Sequence, residues 1–367
     1  MKFSCDKSKI CEAINHVSKA VAVKSTIPAL EGIKIKLSEN ILELTGYDLE
    51  MGIRTQIQVK SEDSGEYVIN ARLFSEITKR MPDGELLFFI DDNLNVKISC
   101  GVTEYNISAY LAEEYPDLPV MENEKQFSIS QGILKSMINQ TIFAVSTLDN
   151  KPVLTGELFD IENGVFNLVA IDGYRLAIRT EKINCDERFY FVVPSKALNE
   201  IARLLKDDDE NVCNVFVSER HIMFDINGYY FFSRLLEGEF HNYKTSLFSD
   251  FKTEAIVKTR EFLESLERCS LLISEKYKAA VKCKFNTSEL QIDCKTVIGK
   301  VSDEISVDLS GDSVLIAFNN KFLIDALKAS ESDKVKIHMN GSNRPIKILP
   351  LQGESYTFLL MPVAIKS

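Results

Sequence analysis

Apolar residues recur along this 367-residue chain at two periods, and the two periods alternate. Ile10, Ile14, Val17 and Val21 fall three or four positions apart; Leu134, Ile138 and Ile142 repeat that spacing, and Phe262 and Leu266 continue it. A second series runs Leu73, Ile77, Met81, then Ala197, Ile201, Leu205, then Phe322, Ala326 and, out of strict phase, Leu327. Such spacing lays one apolar stripe along a helix face, so it predicts six amphipathic helices in two sets. Elsewhere the alternation is every second residue, as in 32–37 (GIKIKL), 96–99 (VKIS), 222–226 (IMFDI) and 335–339 (VKIHM). The stretches 38–40 (SEN), 82–84 (PDG), 162–164 (ENG) and Asn227-Gly228 supply turns. A period of two between such turns predicts antiparallel hairpins with one wet face.

These elements form a repeat. Phe3, Ser4, Ile10 and Ile14 return 124 residues later as Phe127, Ser128, Leu134 and Ile138. Asp48, Ile53, Arg54 and Thr55 in 45–55 (TGYDLEMGIRT) match Asp172, Ile178, Arg179 and Thr180 in 170–180 (AIDGYRLAIRT). A strand-to-helix junction occurs at 70–81, 194–205 and 319–330, with Arg72, Lys196 and Lys321 at the same place in each. A fixed displacement of this kind marks one supersecondary unit used three times. Linkers fall accordingly, at 115–119 (YPDLP) with the acidic 121–125 after it, and at 247–252 (LFSDFK). The expected fold is α+β, with three domains at 1–122, 126–249 and 252–367, each a run of antiparallel strands with two helices packed on one side.

Composition narrows the class. At 45% hydrophobic and 26% charged the chain is that of a globular protein, too long for a single core. No apolar run reaches the ~18 residues of a membrane span, and charges interrupt the first residues where a leader would be apolar, so a cytoplasmic location is expected. The eight cysteines form no C-x-x-C pair and are expected to be buried thiols. A net charge of -11 argues against a conventional basic nucleic-acid binder, unless the basic residues all face one way. The charge is uneven: residues 1–125 sum to -7, 126–250 to -6 and 251–367 to +2.

Catalytic motifs do not appear. His16, His221, His241 and His338 accompany no H-E-x-x-H, G-x-S-x-G or phosphate-binding glycine pattern. Asp91-Asp92 and 207–210 (DDDE) lack the alternation and glycine of a calcium loop, and Asp48 and Asp172 are expected to cap turns. The sequence therefore points to a non-enzyme with no metal or cofactor.

Taken in order, Met1-Lys-Phe3, 42–51 (LELTGYDLEM), 170–177 (AIDGYRLA), 274–277 (SEKY), Phe318-Asn319 and 360–363 (LMPV) resemble the bacterial DNA polymerase III beta subunit, the processivity sliding clamp, over the whole chain. The resemblance implies a head-to-tail homodimer closing a six-domain ring around duplex DNA, with sheets outside and twelve helices lining the hole. It implies partners as well: the DNA polymerase III catalytic subunit, an ATP-dependent clamp loader and other replication and repair clients carrying short Gln-, Leu- and Phe-rich motifs.

Three sets of residues follow from it. Sequence-blind contacts to DNA fall to Lys24, Arg72, Lys79, Arg80, Lys135, Lys151, Lys196, Arg203, Lys258 and Lys321, with Lys7, Lys9, Arg260 and Lys328 also in or beside helices; acidic residues are expected on the outer sheet. Each helix charge taken singly also fits an ordinary solvated surface. The ring joint pairs 103–107 with roughly 297–301, packs Tyr105 and Ile107 on Leu271 and Leu272, and brings Glu104 to Lys300. A peptide pocket between domains 2 and 3 takes Leu154, Ile171, Gly173, Tyr174, Arg175, Leu176 and His241, with Asn343, Pro345, Leu359, Leu360, Met361, Pro362 and Val363. The chain departs from the family pattern at His241, Thr245, Ser246 and Ala364, and Lys366-Ser367 extends past the usual end. One pocket wall is therefore expected to be less basic. Rival readings are a DNA-processing enzyme, which needs a nucleophile or metal cluster, and a peptide-binding scaffold that never meets DNA.

Overall fold

A computed structural model describes every residue except Glu62, Asn123, Asp149, Glu275, Lys278 and 365–367, so parts of the 121–125 and 274–277 stretches and the Lys366-Ser367 extension lie outside the described residues. Helices form where the 3.6-residue period predicts them: α1 (Lys7–Val17), α2 (Ala71–Arg80), α3 (Gln131–Thr141), α4 (Ser195–Leu204), α5 (Thr259–Ser270) and α6 (Asn320–Ala329). Short polar residues start three of them. The side chains of Asp6, Asn70 and Asn319 accept from the backbone N–H groups of Ser8, Leu73 and Lys321 at 2.8, 3.1 and 3.1 Å, satisfying donors the helix leaves open.

Ile10, Ile14, Val17, Leu134, Ile138, Ile201, Phe262 and Leu266 are buried as the period requires. Two stripes are rotated from the expected phase. In α2 the core residue is Phe74, fully buried and edge-on to Phe88 at 6.1 Å, while Leu73 is half exposed. In α6 it is Leu323, with Phe322 only half-buried. Adjacent apolar residues point about 100° apart on a helix, so the pattern alone cannot say which of a pair faces inward.

The strands pair antiparallel. Asn163-Gly164 and Asn227-Gly228 have positive φ at both positions, the geometry of tight hairpin turns that suits the twist of the strands they join. Asp48 and Asp172 do cap turns. The carboxylate of Asp48 accepts from the N–H groups of Glu50 and Met51 at 3.0 and 2.8 Å, and that of Asp172 from Tyr174 and Arg175 at 2.9 and 3.0 Å. Asp91 and Asp208 likewise bond to backbone N–H groups of their own turns. All eight cysteines are free thiols; Cys11 and Cys100 are only half-buried, and the other six are buried.

The chain packs as two compact units, one of Met1–Gly132 with Glu200–Leu235, the other of Ile133–Asn199 with the residues from Leu236 onward. They cut the middle repeat in two, and the sheet register explains why. Strand Tyr229–Arg234 pairs with Met51–Gln58 of the first repeat, so a 13-stranded sheet runs through the first unit. Strand Arg175–Lys182 pairs with Tyr356–Leu360 of the third repeat, giving the 12-stranded sheet of the second unit. Each half of the middle repeat is thus hydrogen-bonded into an end repeat.

In the second unit one sheet face buries α5 and α6 through Phe262, Leu266, Leu323 and Ala326 against residues such as Cys283, Phe318, Ile337 and Phe358. Glu157 is fully buried with Thr141, at the end of α3, as its nearest polar neighbour, and neither carboxyl oxygen makes a hydrogen bond of good geometry among the described residues. Burial pushes its carboxyl well above the ordinary value of 4.5, so the folded protein keeps it protonated where the unfolded chain ionises it. A raised folded pKa means that this contribution to stability is complete below the ordinary value and is lost as pH climbs from there toward the folded one. Glu157→Gln keeps the shape without the ionisation. It is expected to match the wild type in thermal melts near pH 4 and to exceed it near pH 8, by on the order of 1–3 kcal/mol; an equal offset at both pH values would refute the assignment.

Candidate functional site

Arg72, Lys79, Arg80, Lys196, Arg203 and Lys321 are exposed on the helices and Lys258 at the cap of α5, Lys135 is half-buried, and Lys24 and Lys151 are exposed in loops. The expectation that acidic residues stay on the outer sheet is corrected here. Glu76 pairs with Arg80 at 2.8 Å, Glu200 with Arg203, Glu261 with Lys258 at 2.6 Å, Glu264 with Arg260 at 2.8 Å and Glu267 with Lys328 at 3.0 Å. Three of these are neighbours three or four apart on one helix, where opposite charges meet most easily, and Lys258 meets Glu261 from the cap of α5. Exposed pairs are worth under about 1 kcal/mol, so a phosphate can displace the carboxylate. Arg72, Lys79, Lys321, Lys24 and Lys151 have no carboxylate within 4.0 Å among the described residues.

Strands Thr103–Leu111 and Gly299–Ser310 are each paired along only part of one edge. Strand Thr103–Leu111 bonds to Asn95–Cys100 through residues 103–108, but on its other side only Ala109–Leu111 meet a partner, at 67–69. Strand Gly299–Ser310 bonds to Glu289–Thr296 through 299–306, and only Val307–Ser310 pair on the far side, with 254–257. Residues 103–108 and 299–306 therefore each present an open edge among the described residues. Val297 and Ile298, expected within the second edge, form the two-residue turn that precedes it, because Thr296 and Gly299 face each other across the hairpin. Glu104 and Lys300 each have a partner on their own chain, Lys97 at 2.6 Å and Asp293 at 3.3 Å. The bond from Lys97 holds the Glu104 carboxyl below its ordinary range. Tyr105 and Leu271 are exposed, Leu271 by 82%, while Ile107 and Leu272 are half-buried.

The other face of the second unit's sheet, opposite α5 and α6, carries an apolar floor. Register places Ile171 opposite Leu176 and Leu176 opposite Leu359, so all three share that face. Val153, Leu158, Val169, Ile178 and Val192 extend it, with Leu154 partly buried at its rim. The segment after Leu236 crosses it, burying Phe240 and Tyr243 and packing Phe248. That segment is clipped down by Asp160, which accepts from the Tyr243 hydroxyl at 2.6 Å and pairs with Lys244 at 2.9 Å. Gly173 takes φ 88° in the tight turn at one end, where a side chain would be strained. Tyr174 is exposed beside it, and its carbonyl accepts from Met361 N–H at 2.8 Å, extending the ladder to exposed Met361, while exposed Val363 donates its N–H to the Ala317 carbonyl at 2.7 Å. His241 and Asn343 are exposed, Pro345 and Pro362 half-buried.

Two residues expected to line the floor do not. Leu360 lies opposite Arg175 and Ile346 on the helix-bearing face and is core. The Arg175 side chain turns to the same side, its guanidinium 4.3 Å from the Phe322 ring centre, bonded to Asp172 at 2.9 Å and to Asp325 at 2.6 Å. A one-residue step along a strand reverses the face, which is why neighbours of floor residues become core.

Family models for the N-terminal, central and C-terminal domains of the DNA polymerase III beta subunit match residues 1–119, 128–242 and 245–364. The chain belongs to the DNA polymerase III beta subunit family. It is 36% identical to the beta sliding clamp of Halalkalibacterium halodurans and 34% identical to that of Bacillus subtilis, in each case over 99% of both chains. The crystal structure of the Bacillus subtilis clamp superposes with a TM-score of 0.96 at 33% identity, and that of a putative beta subunit from Eubacterium rectale with 0.95 at 32%, both over 100% of each chain. As a beta subunit the protein is a DNA polymerase processivity factor and a non-catalytic one. Sequence alone does not single out Val153, Asp160, Phe240, Tyr243 and Phe248 as parts of the floor, nor Lys347 at its edge. The aromatic spacing at 240, 243 and 248 is the available signal; Asp160 reaches Tyr243 across 83 residues, and no local pattern shows that.

Proposed function

We propose that two copies of this chain join head to tail through the open edges at 103–108 and 299–306, closing a ring of six like domains around duplex DNA. The observation that carries the reading is the pair of half-paired strands, one in each end repeat. An unpaired strand edge invites another strand, and a two-fold arrangement satisfies both edges with none left over. Leu271 and Tyr105 would then be covered, and the negative first repeat would meet the positive third. We take the domains as 1–122, 126–249 and 252–367, and the cytoplasm as the location; among the described residues no helix is long and apolar enough to cross a membrane.

Inside the ring the helices would meet phosphates through few and exchangeable charges, with Arg72, Lys79, Lys321, Lys24 and Lys151 the readiest. Contacts of this kind hold DNA weakly and lose strength steeply with salt, so retention comes from topology. The apolar floor on the opposite sheet face is the docking site for motifs of the DNA polymerase III catalytic subunit and other clients. A separate ATP-dependent loader would open the ring. After loading on nicked circular DNA, the protein should survive high salt and be lost when a restriction enzyme linearises the circle. Retention after cutting would mean direct gripping and would overturn the ring.

A further inference from the structure

We infer that the docking floor ends in an anion subsite, the ammonium of Lys347, which takes a carboxylate presented by the docked peptide. This rests on the floor being the peptide site proposed above.

Sheet register sets one row of side chains across that face: Leu176, Leu359, Lys347, His338 and Glu254, each directly opposite the next. Lys347 thus stands where the apolar floor gives way to polar groups. Only 8% of the residue is exposed, its stem lying along the sheet and its ammonium 5.3 Å from the centre of the Phe248 ring. The nitrogen itself is not among the buried unpaired atoms, so part of it still meets solvent.

The other cations around the floor have carboxylates. Arg175 has Asp172 and Asp325, and Lys244 has Asp160. Glu254, the acid at the end of the row, is held by His338 at 2.9 Å. Lys347 alone of these has no carboxylate within 4.0 Å among the described residues. With its stem buried, its head partly open to solvent and only an aromatic face beside it, this ammonium is placed to take an arriving anion. A carboxylate arriving with the peptide supplies a charge-assisted hydrogen bond in a setting where water competes poorly.

The test measures binding of fluorescent Gln-, Leu- and Phe-rich peptides to the full-length protein. The peptides differ only in Glu or Gln beside the apolar pair, each made with a free C-terminal acid and with an amide. At low salt the wild type should bind a carboxylate-bearing peptide about tenfold more tightly than the fully neutral one, and the gap should shrink as salt rises. The Glu/Gln and acid/amide arms show which carboxylate is used. Lys347→Met should close the gap between charged and neutral peptides, and Lys347→Arg should keep it. Equal binding of charged and neutral peptides by the wild type, or a gap that survives Lys347→Met, overturns the inference and leaves the docking floor standing. If no peptide binds the wild type, the docking floor itself is refuted and the subsite with it.

Discussion

Leu271→Asp should convert the dimer to a monomer without unfolding it. Leu271 follows the last turn of α5 and is 82% exposed in the single chain, so it contributes almost nothing to the fold. Its neighbour Leu272 packs at the start of the open edge, 3.4 Å from where a side chain on Gly299 would begin. Burying a leucine at a joint is worth about 2–3 kcal/mol, and an aspartate in its place forfeits that and adds a desolvated charge. A closed ring of two subunits has two joints, and the loss enters twice, which raises the dimer dissociation constant by on the order of a thousandfold or more. Sedimentation equilibrium reads the constant, and thermal melts of the monomer check the fold. A folded variant with an unchanged constant would exclude these edges as the joint.

Arg175→Met should cost about 3–5 kcal/mol of stability and abolish peptide docking. The guanidinium is buried to 9% side-chain exposure and bridges Asp172 and Asp325, whose side chains are 13% and 24% exposed. It also lies over the rings of Phe322 and Phe143 at 4.3 and 5.4 Å. Methionine fills part of the space but leaves two carboxylates with no cation. The damage reaches the docking floor through the backbone, because Asp172 also holds the turn that carries Gly173 and Tyr174, and Tyr174 anchors the strand end at Met361. The conservative change Arg175→Lys should recover only part of the loss, since an ammonium cannot fork between both acids while stacking on a ring. Urea unfolding and peptide titration on the same variants test this. A loss below about 1 kcal/mol would mean the pair contributes little beyond its entropy cost.

The family resemblance implies Leu271 as a joint residue, whereas it offers Arg175 only as a member of the pocket. Its actual role, facing away from the floor and bracing the turn beneath it, depends on Asp325, 150 residues distant. The same contrast runs through the helices. Their existence and starts follow from a local period and from Asp6, Asn70 and Asn319, but the choice of Phe74 over Leu73 and Leu323 over Phe322 depends on what the sheet offers opposite.

The repeated unit, the strand and helix periods, the capped turns at Asp48 and Asp172 and the family resemblance are all readable from the amino-acid order, because each is written in residues close together or at a fixed displacement. Folding in three dimensions settles the rest: which edges stay open, how the middle repeat divides between two sheets, and that Lys347 lacks a carboxylate among the described residues. Those facts turn on partners far apart in the chain, brought side by side by strand register, and a single residue's shift in register would hand each of them to the opposite face.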